Sequence, residues 1–259
     1  MARYQLTIAY DGTNYCGFQR QANHLSKRTI QSEIESALQK IGWKASKVLA
    51  AGRTDSGVHA VGQVLVFDMA WEHSEEALRA AINSNLPGDI AVRDVRIANP
   101  SFHPRYDALA RRYSYRLYSQ PVRDPLRDRF AWRIWPGISQ DWIQAAAADL
   151  VGNHDFSSFG TPPRIGGSTI RQIYVAEWQF EKDESVFEIV ANAFLYRMIR
   201  RLVKLQVEIG QGLRSAEELI ERLSDNNITR SVGLAPPNGL ILVQVIYPDD
   251  NGNKRKSWQ

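Results

Sequence analysis

The sequence predicts an α+β protein built from two ferredoxin-like split βαβ subdomains, and three observations predict it. Segments of strand-like alternation and helix-like periodicity follow one another in the order βαββαβ. The same order begins again in the second half of the chain. Between the halves, Pro100 and Pro104 interrupt any regular element. Two such units joined edge to edge make one continuous, mostly antiparallel sheet with helices on one face and a catalytic cleft on the other.

Residues 3–10 alternate apolar and polar as a half-buried strand does, and 31–41 carry apolar residues at helical spacing. Strands follow at 46–51 and 63–68, then a helix at 74–85 and a strand at 90–97. The second half opens on a strand at 112–118, where Arg and Tyr are interleaved, and continues with a helix at 140–151. Strands at 170–180 and 186–193 precede a helix at 195–209, an added helix at 216–223 and a last strand at 240–247. The subdomains are accordingly placed at 1–105 and 106–248, and 249–259, with Lys254-Arg255-Lys256, reads as a short polar tail.

A chain of 259 residues with 44% apolar residues can bury a sizeable core. The net charge is only +4 although the pI is about 9.2, so where the 32 Lys and Arg cluster matters more than their sum. The five histidines lack the spacing of a zinc or iron site, and the single Cys16 cannot form an internal disulfide. Neither a metal site nor an oxidising compartment is expected. No signal peptide and no bilayer-spanning apolar run is present, so the expectation is a soluble cytoplasmic protein. Phosphate-binding glycine motifs and a serine nucleophile elbow are absent as well, which argues against nucleotide cofactors and acyl transfer.

The chemistry concentrates in the run Ala50-Ala51-Gly52-Arg53-Thr54-Asp55-Ser56-Gly57-Val58-His59-Ala60. Asp-Ser-Gly alone is ordinary turn chemistry, because Asp and Ser bond their own backbone and Gly permits positive φ. The surroundings say more: Arg53 lies two residues before Asp55, and in extended backbone alternate side chains point the same way. An arginine beside a carboxylate keeps the acid ionised. Asp55 is therefore the candidate catalytic residue and Arg53 its candidate companion.

Phe102-His103-Pro104-Arg105-Tyr106 and Arg111-Arg112-Tyr113-Ser114-Tyr115-Arg116-Leu117-Tyr118 interleave aromatic and basic residues. On a strand Tyr113, Tyr115 and Leu117 share one face, and Arg112, Ser114, Arg116 and Tyr118 the other. Tyrosine faces that stack on bases beside arginines that meet phosphates are how RNA-binding surfaces are composed; at least one of Tyr113 and Tyr115 is expected in the core. Arg123, Arg127, Arg129 and Arg133 form either a phosphate-binding rim or a solvated loop. In the helix at 195–209, Leu195, Met198, Ile199, Leu202, Leu205 and Ile209 make an apolar stripe opposite Arg197, Arg201 and Lys204. Arg200 falls at the side of that face, where it either reaches a cleft floor or joins a solvated basic surface.

Several motifs in order resemble the tRNA pseudouridine synthases of the TruA family. They are Tyr10-Asp11-Gly12-Thr13-x-Tyr15-x-Gly17-Phe18-Gln19, Gly52-Arg53-Thr54-Asp55-x-Gly57-Val58-His59-Ala60, Asn85-Leu86-Pro87-x-Asp89-Ile90, Phe102-His103-x-Arg105, Arg112-Tyr113-x-Tyr115, His154-Asp155-Phe156 and Phe194-Leu195 leading to Arg200. Two positions depart from the family pattern: Ser56 stands where Ala is usual, and Lys204 where a small Gly is frequent.

The resemblance implies that Asp55 is the catalytic aspartate, that Arg53 enters the space left by a flipped uridine, that Tyr113 stacks on the target base and that Arg200 pairs with Asp55. It further implies a homodimer that binds the anticodon arm and isomerises uridine to pseudouridine at tRNA positions 38, 39 and 40, with no cofactor or metal. A non-catalytic RNA-binding protein and an RNA N-glycosidase are the rivals; the first would survive loss of Asp55, and the second would release free uracil.

Overall fold

The computed structural model describes residues 1–20, 28–224 and 233–248; the expected polar tail at 249–259 lies outside the described residues. The chain divides into two compact units, one holding Met1–Leu109 with the residues that return from Ile241, the other Ala110–Leu240. Both mix helices with mostly antiparallel strands, so the α+β class expected from the sequence is what the molecule has.

The first unit runs β1 (Ala2–Tyr10), α1 (Ile30–Lys40), β2 (Leu49–Ala50), β3 (His59–Met69), α2 (Glu75–Asn83) and β4 (Ile90–Ile97). Thr29 caps α1 through a reciprocal bond with Ser32, and Ser74 caps α2 by accepting from the Ala77 N–H, which satisfies donors that a helix start leaves open. β1 lies between β3 and β4, antiparallel to both, with Leu6 and Ile8 fully buried. Trp43 sets its indole edge-on to Phe67 and donates to the Asp68 carbonyl, closing the core beneath α1.

The second unit runs β5 (Ala110–Ser119), β6 (Trp132–Ile134), α3 (Gln140–Ala148), β7 (Gly152–Asp155), β8 (Ile170–Glu181), β9 (Glu184–Ala191), α4 (Met198–Gly210) and α5 (Glu217–Ser224). Strands β5, β9, β8 and β7 pair antiparallel in that order, and β6 adds to β5 in parallel. Gly210 lets α4 touch α3: a Cβ there would stand 2.4 Å from Ile143 Cγ2. Trp178 on β8 donates to Gln206 on α4 at 2.9 Å, so the buried indole N–H is satisfied.

The last strand, β10 (Leu240–Ile246), carries the residues that return to the first unit. The second edge of β3 is shared: β10 runs parallel to it at His59 and Ala60, and β2 antiparallel at Leu65 and Val66. Gly62 sits at the close approach, where a Cβ would lie 2.1 Å from the Val243 carbonyl oxygen. The segment read from sequence as the end of the second half thus supplies a first-unit edge.

Other elements differ in extent. The strand expected at 46–51 is two residues long; just before it Val48 N–H donates to the Glu35 carboxylate instead of to a strand. The helix expected from Leu195 begins at Met198, since Tyr196 bridges to Thr161 and Arg197 adopts a left-handed φ of 63° that no helix interior accepts. β6 and β7 were not expected; they are short, and β7 reads Gly-Asn-His-Asp with no apolar alternation.

Candidate functional site

Asp55 lies in the connection between β2 and β3, and the sequence around it explains how that connection is held. Ala51 donates to Val64 O at 2.9 Å and Gln63 donates to Gly52 O at 3.2 Å, fixing the entry. Val58 donates to Asp55 O at 3.2 Å across Ser56 and Gly57, and Gly57 takes the positive φ (77°) that this turn requires. Burial alternates through the segment: Arg53 is exposed, Thr54 is 8% exposed and Asp55 half-buried. Arg53 and Asp55 thus flank an inward Thr54, in keeping with the alternation expected of extended chain.

Both neighbours of Asp55 are tied to the segment 10–18. The Thr54 hydroxyl shares a buried 2.8 Å hydrogen bond with the Tyr10 phenol, and Thr54 O accepts from Phe18 N–H at 3.1 Å. On the other side the Ser56 hydroxyl donates to Tyr15 O at 2.9 Å. The departure from the family pattern at Ser56 therefore adds an anchor that an alanine lacks. Glycines let the two segments meet: a Cβ on Gly12 would lie 2.0 Å from Val58 O, and one on Gly17, at φ 90°, 3.0 Å from Thr54 O. The Gly12 N–H also donates to His59 Nδ1 at 3.1 Å.

A third motif stands behind the second. Asp89 accepts a short hydrogen bond from the Tyr15 phenol, and its carbonyl accepts from Asp11 N–H at 3.0 Å. Burial, followed by that carboxylate, pushes the Tyr15 phenol well above its ordinary value, so it stays a donor at neutral pH. Arg28 lies over the Tyr15 ring at 4.7 Å. Sequence reasoning had Tyr10, Thr54, Tyr15 and Asp89 only as motif letters, and Ser56 only as a departure from the pattern. Their clustering in three short runs was the signal, and their function is to buttress the Asp55 loop.

In the second unit, Tyr113 is half-buried on β5 opposite Ile189, its ring edge-on to Phe194 with centroids 5.2 Å apart. Tyr115 is the core member of the pair, fully buried with its hydroxyl donating to Pro236 O at 2.7 Å, and burial pushes its phenol upward. Tyr118, expected on the polar face with Arg112 and Arg116, is fully buried too. The loop after β5 folds over it: Tyr118 donates to Asp128, and Arg127 lies 4.4 Å over its ring. Arg127 also pairs with Asp183 at 2.6 Å, and Arg133 donates to Gln120 O and Pro121 O. Two of the four loop arginines thus hold the loop itself, which is neither a bare rim nor a merely solvated turn.

Arg200 is on the buried side of α4, 9% exposed, with Nε donating to Ala235 O at 2.7 Å while Ala235 N–H returns a bond to Arg200 O. The basic face expected opposite the apolar stripe is occupied by internal contacts. Arg201 donates to Phe159 O at 3.0 Å, Arg197 covers the Tyr196 ring, and Lys204 pairs with Glu208 at 3.1 Å while lying 5.5 Å over Trp132. The Lys204 stem fills the space beside Gly233, where a glycine at 204 would leave room. Among the described residues no three His, Cys, Asp or Glu are grouped to hold a metal ion, and no helix is long and apolar enough to cross a membrane.

Comparison with known proteins adds the family. A family model described as tRNA pseudouridine synthase matches residues 6–107 and 146–248; Tyr113 lies between the two matched segments. A protein of Limosilactobacillus fermentum named tRNA pseudouridine synthase A is 38% identical over 252 residues, covering 95% of this chain and 96% of the relative. Proteins with the same name from Colwellia psychrerythraea and Methylococcus capsulatus are each 37% identical, covering 96% and 98% of this chain and 95% and 92% of theirs.

Proposed function

The chain belongs to the tRNA pseudouridine synthase family, and we propose that it isomerises uridine to pseudouridine at positions 38, 39 and 40 in the anticodon arm of tRNA, with Asp55 as the catalytic residue. The observation that carries the reading is an aspartate, in a chain of this family, whose two neighbours are each anchored by a hydroxyl. Such anchoring suits a group that must be held to a fraction of an ångström against its substrate.

The reaction balances within the nucleotide. The bond from N1 to the ribose C1′ breaks, the uracil turns, C5 bonds to C1′, the C5 hydrogen leaves as a proton and N1 takes one up. No redox partner or transferred group is consumed, and a single carboxylate suits a base that never leaves, unlike glycoside hydrolysis with its paired acids and activated water. A stacked uridine is out of reach, so it must be flipped, at a cost of a few kcal/mol. Arg53, exposed next to Asp55, fills the vacated space; Tyr113 stacks on the uracil, its ring already restrained by Phe194; Arg200 binds the substrate with its guanidinium plane fixed through Nε. The protein works as a homodimer in the cytoplasm, where its tRNA substrates are.

The test is tritium release from tRNA transcripts labelled at uridine C5, for the wild type and Asp55→Asn, with free uracil assayed in parallel. Release by the wild type, no free uracil, and a loss of at least about a thousandfold in the variant with tRNA binding kept are expected. Tight tRNA binding by folded wild type without release would leave a non-catalytic binder; release of uracil would make it an N-glycosidase.

A further inference from the structure

One aromatic motif stays outside the catalytic reading. Phe102-His103-Pro104-Arg105-Tyr106 forms a closed turn in the first unit, and nearly every polar group of its backbone has a partner. His103 N–H donates to Asp107 at 2.8 Å, and Asp107 N–H returns to His103 O at 3.1 Å. His103 Nδ1 accepts from both Arg105 N–H and Tyr106 N–H, at 3.1 and 3.3 Å. Pro104 O accepts from the Tyr247 phenol at 2.7 Å, Phe102 O accepts from Arg3, and Phe102 packs edge-on to Tyr247. The turn is rigid because its own side chains cap its own amides.

What this rigid turn displays is chemically specific. Tyr106 is 67% exposed, and its ring lies 4.3 Å from the His103 imidazole at 33°, so it is backed by that imidazole while most of its surface faces solvent. With Nδ1 accepting two amides, the ring proton of neutral His103 sits on Nε2. The exposed Arg105 guanidinium stands 6.0 Å from the Tyr106 ring. An exposed aromatic that served only packing would have no need of such a mount, whereas a stacking surface gains from losing its entropy before binding.

From this we infer that His103, Arg105 and Tyr106 form a second RNA-contact site, separate from the flipped uridine, in which one unpaired nucleotide stacks on Tyr106 and sets its phosphate against Arg105. The inference rests on the proposed action on RNA, and an unpaired nucleotide is specified because only an unstacked base offers its face to a side chain. Stacking is blind to base identity, so this site contributes affinity and register without sequence choice.

The experiment measures binding of the full chain to an unmodified tRNA transcript over a range of salt, for Tyr106→Leu, Tyr106→Phe and Arg105→Gln, with tritium release at saturating tRNA as a second readout. Tyr106→Leu is expected to weaken binding on the order of tenfold and Tyr106→Phe by less than about twofold, since Phe keeps the stacking face and Leu only the apolar bulk. Arg105→Gln lowers affinity and reduces the salt slope by about one. Turnover at saturation stays at the wild-type level in all three. Wild-type affinity in Tyr106→Leu overturns the site, and leaves the synthase reading standing if the wild type still releases tritium. Weakened binding in Tyr106→Leu with no release from the wild type upholds the site and sinks the synthase.

Discussion

The Asp55 loop and strand β5 both carry motif residues, but they are held in place by opposite means. The loop depends on scattered single ties: Tyr10 to Thr54, Ser56 to the Tyr15 carbonyl, isolated backbone bonds such as Phe18 N–H to the Thr54 carbonyl, and glycines that let two backbones approach. β5 depends on an unbroken ladder of partners along β9, from Arg111 opposite Ala191 to Tyr118 opposite Glu184. A loop tied by scattered single bonds is precise and fragile; a strand tied by a continuous backbone ladder tolerates changes in any one side chain. The comparison teaches where to expect small changes to have large effects.

The sharpest way to break it is Gly12→Ala. The new methyl would stand 2.0 Å from the Val58 carbonyl oxygen, so the backbone must move, with an expected loss of about 1–3 kcal/mol in urea unfolding and a larger loss of turnover than of stability. Thr54→Val comes next. It keeps the shape and removes the partner of Tyr10, at about 1 kcal/mol, and kcat is expected to fall about five- to tenfold with KM unchanged. Tyr10→Phe should do the same, and the double variant should be no worse than either single one; additive losses would show that the two hydroxyls do not act as one tie. Smallest is Arg116→Gln on β5, which breaks a half-exposed pair with Glu184; the expected cost is below about 1 kcal/mol with turnover within twofold. A large loss of turnover there would erase the contrast between loop and strand.

The same contrast explains what could be read from sequence. The element order was legible because periodicity reports which face is buried, and the β4 strand at Ile90–Ile97 lies where its alternation put it. Gly-Arg-Thr-Asp-x-Gly marked the loop because glycine and turn residues crowd only where backbone is tightly bent. The anchors were illegible as anchors: nothing near Thr54 in sequence says that a tyrosine forty-four residues earlier shares its proton. Charge was legible only in part for a related reason. Arg127, Arg133, Arg201 and Lys204 looked like a solvated or RNA-facing surface, yet each is engaged by a carboxylate, a carbonyl or a ring of its own unit, and sequence spacing carries no information on such partners.

The shared edge of β3 bears on how the molecule is made. Ile241 and Leu242, which pair beside His59 and Ala60, leave the ribosome only after Ala110–Leu240. Until then the strand that leads out of the Asp55 loop has backbone donors and acceptors waiting on one side. In effect the second unit is an insertion into the first. Because the entropy of closing a loop grows by only about 0.6 kcal/mol for each doubling of its length, such an insertion taxes the finished fold lightly. It costs time instead: the Asp55 loop reaches its final footing among the last events of synthesis, so a nascent chain cut short before β10 has the aspartate and lacks the strand beside it.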